Sequence, residues 1–284
     1  MSTRLLLRRA IIPIAGLGTR MLPLTRVVPK EFVPLAGKPV IQHLIEECCR
    51  AGIREVIFIV NKNNRPLLEK YFDPQHARYM RSIKSQPAQR NAADLETLMR
   101  TMRFRFVLQQ KPLGDGNALL EAKRFIGRGE WFFVSLGDLL VQPSGSYIKE
   151  MYQIARKHNG YVLATDKVPP HQVNRYGIVE PAKRLGARLL RVRDIIEKPE
   201  PHQAPSNIAL IGKYIFDAGI FEELERTAPD KKGEVKLAYA IAAILQKRKK
   251  TILAYQIRGR HFDCGDWGGL EIAARKFQPA TKPL

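Results

Sequence analysis

RAIIPIAGLGTRMLPLTRVVPK, residues 9–30, begins as a short apolar run and ends in two glycines followed by fixed positive charge. Arg9 to Ala15 reads as a buried strand, and the turn after it as the start of a ligand loop. Gly16 and Gly18 let backbone amides turn inward toward an anion, while Arg20 and Lys30 place cations beside it. The pattern is that of a phosphate cradle. It is not the dinucleotide fingerprint, because Met21 stands where the third glycine belongs. Nor is it a P-loop, because no Lys-Ser/Thr pair follows at the required spacing.

Outward from this stretch, strand and helix alternate. Pro39 stands in the first turn of a helix in which Val40, Ile41, Leu44, Ile45, Cys48 and Cys49 recur at three- and four-residue spacing until Gly52. Strands are predicted at Glu55–Val60, Phe104–Gln109 and Trp131–Leu136, with helices at Arg65–Phe72 and Gly114–Ile126. Beyond Gly160 the pattern is richer in strands, at Tyr161–Thr165, Tyr176–Pro181, Leu189–Ile196, Ile208–Phe216 and Thr251–Ile257, with helices at Ala218–Arg226 and Lys236–Lys247. Asp73 to Arg103 reads as an inserted helical excursion. Such alternation predicts an α/β fold, Rossmann-like, with a mostly parallel mixed sheet and helices on both faces. Ligands then belong at the carboxyl ends of the strands.

Composition narrows the class of partner. The 284 residues are 45% hydrophobic and 26% charged, as in a globular enzyme or binding protein, which argues against disorder of the whole. The apolar runs, such as Ile57–Val60 and Trp131–Leu136, fall short of the ~20 residues a membrane span needs. Pro13 and Gly16 interrupt the apolar stretch behind Arg4, Arg8 and Arg9, so no secretory signal is expected. Cys48, Cys49 and Cys264 cannot all pair, which points to a reducing, cytoplasmic setting. A net charge of +21 favours anionic partners without naming one. A solvated basic surface and a polyanion contact both remain open.

The fixed positions of G-x-G-T-R-x-x-P-x-T-x-x-x-P-K are all present from Gly16 to Lys30, and in this the chain resembles the sugar-1-phosphate nucleotidyltransferases. It is most similar to the bacterial UTP–glucose-1-phosphate uridylyltransferases. The likeness continues through LQQKPLGDGNA, RYGIVE, EKPEPHQAPSNIALIGKYIF, GEVKLAYAI and FDCGDWGGL. The resemblance implies one nucleotidyltransferase domain over 1–284, with a nucleotide-binding half at 1–140 and a sugar-binding half with C-terminal helices at 141–284. It implies in-line attack of glucose 1-phosphate on the α-phosphorus of UTP, with Mg2+ as cofactor, giving UDP-glucose and pyrophosphate.

By the same resemblance Arg20 and Lys30 are catalytic, and Ala15, Gly16, Gly18, Gln109, Gly114 and Gly137 bind the nucleotide. Gly177, Glu197, Lys198 and Asn207 hold the sugar phosphate, and Asp138 and Asp263 hold the metal. Magnesium prefers one or two carboxylates plus phosphate oxygens, so a sparse set of acids suits it. UTP and glucose 1-phosphate are the implied partners, in a homo-oligomer, dimer or tetramer; neither a membrane nor nucleic acid is expected. The chain departs from the family at LGDGNA, where Asp115 and Asn117 replace an apolar residue and a histidine, and at Arg26 and Leu139. These departures leave a thymidylyltransferase, or a weakly catalytic regulatory or polyanion-binding relative, as alternatives. The choice of hexose also stays open.

Overall fold

The computed structural model describes residues 7–76, 86–142 and 145–278. Two compact units are interleaved along the chain: Met1–Lys111, Leu136–Ser146 and His261–Leu284 form the first, Pro112–Ser135 and Tyr147–Arg260 the second.

The first unit begins with β1 (Arg9–Ile14). Three 3-10 turns follow, at Thr19–Met21, Leu24–Arg26 and Lys30–Phe32, and then the two-residue pair β2 (Pro34–Leu35) and β3 (Lys38–Pro39). Helix α1 (Val40–Ala51) starts behind Pro39 and stops at Gly52, whose φ of 94° lets its N–H turn back to the carbonyls of Cys48 and Cys49. Strand β4 (Glu55–Val60), α2 (Asn64–Tyr71), α3 (Gln86–Thr101) and β5 (Arg103–Leu108) complete this segment. β4 pairs in parallel with β1, from Arg9 opposite Glu55 to Ile14 opposite Val60, and with β5 on its other side. All six β4 residues are buried, which is why the strand reads as one apolar run rather than an alternation. Part of the expected excursion is α3; residues 77–85 lie outside those described.

The chain next passes through the second unit as α4 (Asp115–Glu121) and β6 (Trp131–Ser135), then returns to the first for β7 (Leu139–Gln142). The helix expected over Gly114–Ile126 is cut short at Glu121 and continues as a 3-10 turn, Lys123–Phe125. Helix α5 (Ser146–His158) was not anticipated; its buried face is Tyr147, Ile148, Met151 and Ala155, at helical spacing. The rest of the second unit is β8 (Tyr161–Lys167), β9 (Gly177–Gly186), β10 (Leu189–Glu197), β11 (Ile208–Asp217), α6 (Ile220–Arg226), α7 (Leu237–Gln246) and β12 (Ile252–Gln256). β13 (Arg260–Asp263), which pairs with β7, and α8 (Trp267–Lys276) end the described chain.

The α/β class with a mixed sheet stands. Parallel order, expected for most of the sheet, governs the first unit; in the second only β8 and β12 run parallel. β6 and β8 flank β11 antiparallel, and β10 is antiparallel to both β9 and β12. The reason is local. β9 and β10 are joined by two residues, and a hairpin can only be antiparallel, whereas parallel neighbours need a long crossover.

Candidate functional site

In the first unit the loop after β1 is fixed from below by two asparagines. Asn61 donates from Nδ2 to the Ala15 carbonyl at 3.0 Å, and Asn64 to that of Ile14 at 2.7 Å. Gly18 adopts φ 64°, and its carbonyl accepts from Thr25 Oγ1 at 2.8 Å. A side chain there would press on the Thr25 methyl, so the glycine is required twice over. Gly16 faces open space.

Above this loop four charged groups meet. Lys30 Nζ donates to Asp138 Oδ2 at 2.5 Å, and Arg20 Nη2 lies 3.9 Å from the same oxygen. The backbone N–H of Cys264 donates to the Asp138 carbonyl at 2.8 Å, which ties the turn after β13 to the start of β7. That turn carries Asp263 and Gly265. A Cβ built on Gly265 would overlap Asp138 Oδ2 and stand 2.7 Å from Arg20 Nη2 and 3.0 Å from Asp263 Oδ1. Three expected functional groups thus converge on one point beside a glycine.

Electrostatics separates the two aspartates. Burial pushes the Asp138 carboxyl up, but the charge and hydrogen bond of Lys30, with Arg20 behind them, outweigh it and hold it below the usual carboxylate range. Burial raises Asp263, and the neighbouring Asp138 charge raises it further. Burial opposes the Lys30 ammonium, yet Asp138 and Glu31 more than compensate, so it stays charged. Glu31 itself is 1% exposed, 4.0 Å from Lys30 Nζ, and burial pushes it up to about 7. It packs under Gly137, where a Cβ would overlap Ile14 Cγ2 and crowd Glu31 Cγ at 3.1 Å. Gln109 follows directly on β5, buried, with its N–H on the Val60 carbonyl.

The second unit holds the remaining expected residues. Glu197 stands opposite Gly177 in the β9–β10 ladder, and a Cβ on Gly177 would come 3.1 Å from Glu197 Oε2. Adjacent residues on a strand point to opposite faces, but Lys198 leaves the strand at φ 49°. That left-handed step brings its Nζ 3.8 Å from Glu197 Oε1. Burial raises the Glu197 carboxyl, Lys198 lowers it, and Asp115 raises it again. The Asn207 amide is engaged with the Val168 carbonyl at 3.2 Å. Gly114 has φ 97°, and a Cβ there would be 2.5 Å from the Val235 carbonyl oxygen.

A sequence profile of the nucleotidyl transferase family matches residues 9–278. The chain belongs to the nucleotidyl transferase family. It is 33% identical over 273 residues to a UTP–glucose-1-phosphate uridylyltransferase of Pseudomonas aeruginosa, covering 96% of each protein. A solved UDP-glucose pyrophosphorylase complexed with UDP-glucose, at 32% identity, superimposes with a TM-score of 0.84 over 96% of this chain and 98% of that one. A UTP-bound enzyme of the same kind from Acinetobacter baumannii, 29% identical, does so at 0.83 over 96% and 93%.

A nucleotidyl transferase generally uses a divalent cation. The donor set here fits one: two carboxylates of like charge, one raised by the other, meet at a point that a hard cation would relieve. Among the described residues no three His, Cys, Asp or Glu side chains gather to hold a metal. Two acids suffice where substrate phosphates supply the other oxygens. Several residues of this transferase escaped the sequence reading. Glu31 follows Lys30 directly but looks like a surface acid; Asn61 and Asn64 lie in an apparent loop; Gly265 and Asp266 sit inside FDCGDWGGL without marking themselves out.

Proposed function

We propose that this nucleotidyl transferase transfers the uridylyl group of UTP to glucose 1-phosphate, releasing pyrophosphate. The observation that carries the reading is the convergence of Arg20, Asp138 and Asp263 beside Gly265, with Lys30 on Asp138. Arg20 and Lys30 grip the triphosphate and offset charge on the α-phosphate and the leaving pyrophosphate, while Gly16 and Gly18 leave room for phosphate oxygens at the loop. Asp138 and Asp263 hold Mg2+, which supplies further charge neutralisation on the phosphate oxygens when bound. Gln109 reads the uracil edge, with Ala15 and Gly137 lining the nucleotide. Glu197 accepts from sugar hydroxyls, the Lys198 ammonium meets the sugar's phosphate, and Gly177 admits the sugar closely.

The chemistry asks little covalent work of the protein. Positioning two anions in line and neutralising them lowers the barrier. Asn207, committed to Val168, supports the sugar site from behind. The enzyme works in the cytoplasm, where the thiols of Cys48, Cys49 and Cys264 stay reduced, and as a homo-oligomer. Among the described residues no helix is long and apolar enough to cross a membrane.

Pyrophosphate release with glucose 1-phosphate, measured across UTP, dTTP, CTP and ATP with and without Mg2+, tests the reading. Turnover should be highest with UTP and should vanish on chelation. Faster turnover with dTTP reassigns the base, undiminished turnover in chelator removes the metal, and no turnover with any nucleotide leaves a binding protein.

A further inference from the structure

Strand β1 hands its chain to the loop where its parallel pairing with β4 ends, at Ile14 opposite Val60. Two side-chain amides from the segment after β4 continue the contact there. Asn64, which is buried, donates from Nδ2 to the Ile14 carbonyl, and Asn61 donates from Nδ2 to that of Ala15. Carbonyls at the mouth of a buried strand need such partners.

Asn61 is itself held from the other side. Its Oδ1 accepts the backbone N–H of Asn63 at 2.9 Å and that of Asn64 at 2.8 Å, and its carbonyl accepts that of Arg65 at 3.1 Å. Both ends of this one amide are therefore used, one on the turn into α2 and one on the loop. The consequence lies in the peptide unit joining Ala15 to Gly16, which is not among the cis bonds. In a trans peptide the C=O and N–H point in opposite directions. With the Ala15 carbonyl drawn to Asn61, the Gly16 N–H must point the other way, and a Cβ on Gly16 would meet nothing within 4 Å. Asn64 braces the peptide before it in the same sense.

We propose that Asn61 is a positioning residue for phosphate binding: by holding the Ala15 carbonyl against the turn into α2, it aims the Gly16 N–H at a phosphate oxygen of the nucleotide and keeps the carbonyl dipole away from that anion. This rests on the reading of the β1 loop as the phosphate cradle. A role confined to starting α2 makes a different forecast, because serine caps a helix about as well as asparagine but carries no amide for the Ala15 carbonyl.

The test measures the Kd for UTP by calorimetric titration, together with kcat, the KM for each substrate and Tm, for wild type, Asn61→Ser and Gly16→Ala. Asn61→Ser should keep Tm within about 3 °C. It should weaken UTP binding about tenfold and raise the KM for UTP to match, the effect of misdirecting one hydrogen-bond donor. The kcat and the KM for glucose 1-phosphate should stay within about twofold of wild type, because the contact is made equally before and during the reaction. Gly16→Ala adds a methyl that touches no protein atom but takes up room a phosphate needs, so it too should weaken UTP binding. A silent Asn61→Ser beside an impaired Gly16→Ala overturns the proposal and leaves the loop in its role. So does an Asn61→Ser that loses Tm yet binds UTP as wild type does. Unchanged UTP binding in both variants overturns the cradle as well. Should the serine variant lose both Tm and UTP binding, Asn61→Thr, a second capping residue without an amide, carries the same comparison.

Discussion

Replacing Gly265 with alanine adds one methyl where the site's charged groups meet. The new Cβ would overlap Asp138 Oδ2 and lie 2.7 Å from Arg20 Nη2 and 3.0 Å from Asp263 Oδ1. Each group must retreat, Asp138 by roughly 1 Å, and a displacement of that size in a catalytic group costs about a hundredfold. Stability should barely respond. The obstacles are ends of flexible side chains rather than backbone, which puts the overpacking cost near its lower limit of about 1 kcal/mol. Alanine also narrows the unfolded ensemble, returning about 0.5 kcal/mol where its φ is unstrained. Gly265 is not among the positive-φ glycines. The expected outcome of Gly265→Ala is a hundredfold loss of pyrophosphate release, as about 2.7 kcal/mol of barrier, with Tm shifted by less than about 3 °C. Turnover within about threefold of wild type would refute the convergence itself, since that margin is under 1 kcal/mol. A large fall in Tm would instead show that the methyl meets rigid structure.

Gly114→Ala should behave in the opposite way. Its Cβ would meet the Val235 backbone oxygen at 2.5 Å in a residue with φ 97°, so urea unfolding should show a loss of about 2–4 kcal/mol. Lys30→Met leaves the buried Asp138 without its nearest cation, which should cost about 3 kcal/mol at pH 7 and cut kcat about a hundredfold. That stability loss shrinks as acid protonates Asp138, whose pKa rises once Lys30 is gone, and a urea series from pH 7 to pH 4 checks it. Glu31 has a raised pKa in the folded chain, so its contribution is full below its ordinary range and fades as pH rises through about 7. Between pH 5 and 8 the wild type should lose roughly 3 kcal/mol that Glu31→Gln retains, and parallel pH–stability curves for the two proteins would contradict this.

Local physics made much of this enzyme legible from its residues alone. The run from Arg9 to Ala15, the proline and glycine that bracket α1, and the unbroken apolar β4 each declare their element because burial, capping and period act within a few residues. The cations at Arg20 and Lys30 were legible for the same reason, their spacing being fixed along one short loop. Elsewhere a rule that holds locally was overridden. Glu197 and Lys198 should face apart on a strand, and only the left-handed backbone at Lys198 turns them to one side. The helix α5 had the right spacing yet was not read from it, and the antiparallel second unit follows from strand pairings whose partners no periodicity names.

What only the tertiary structure decided is which distant groups share a place. Lys30 and Asp138 are 108 residues apart in sequence and in hydrogen-bond contact in space. Asp266 looks like any helix cap until Arg20 is found on its second oxygen, and Gly265 looks like any turn glycine until three charged groups are found around it. Apolar burial drives the collapse but carries no direction. The pairing of strands and the seating of one turn on another set these distances, and that geometry is a property of the whole packed chain, not of any stretch of its sequence.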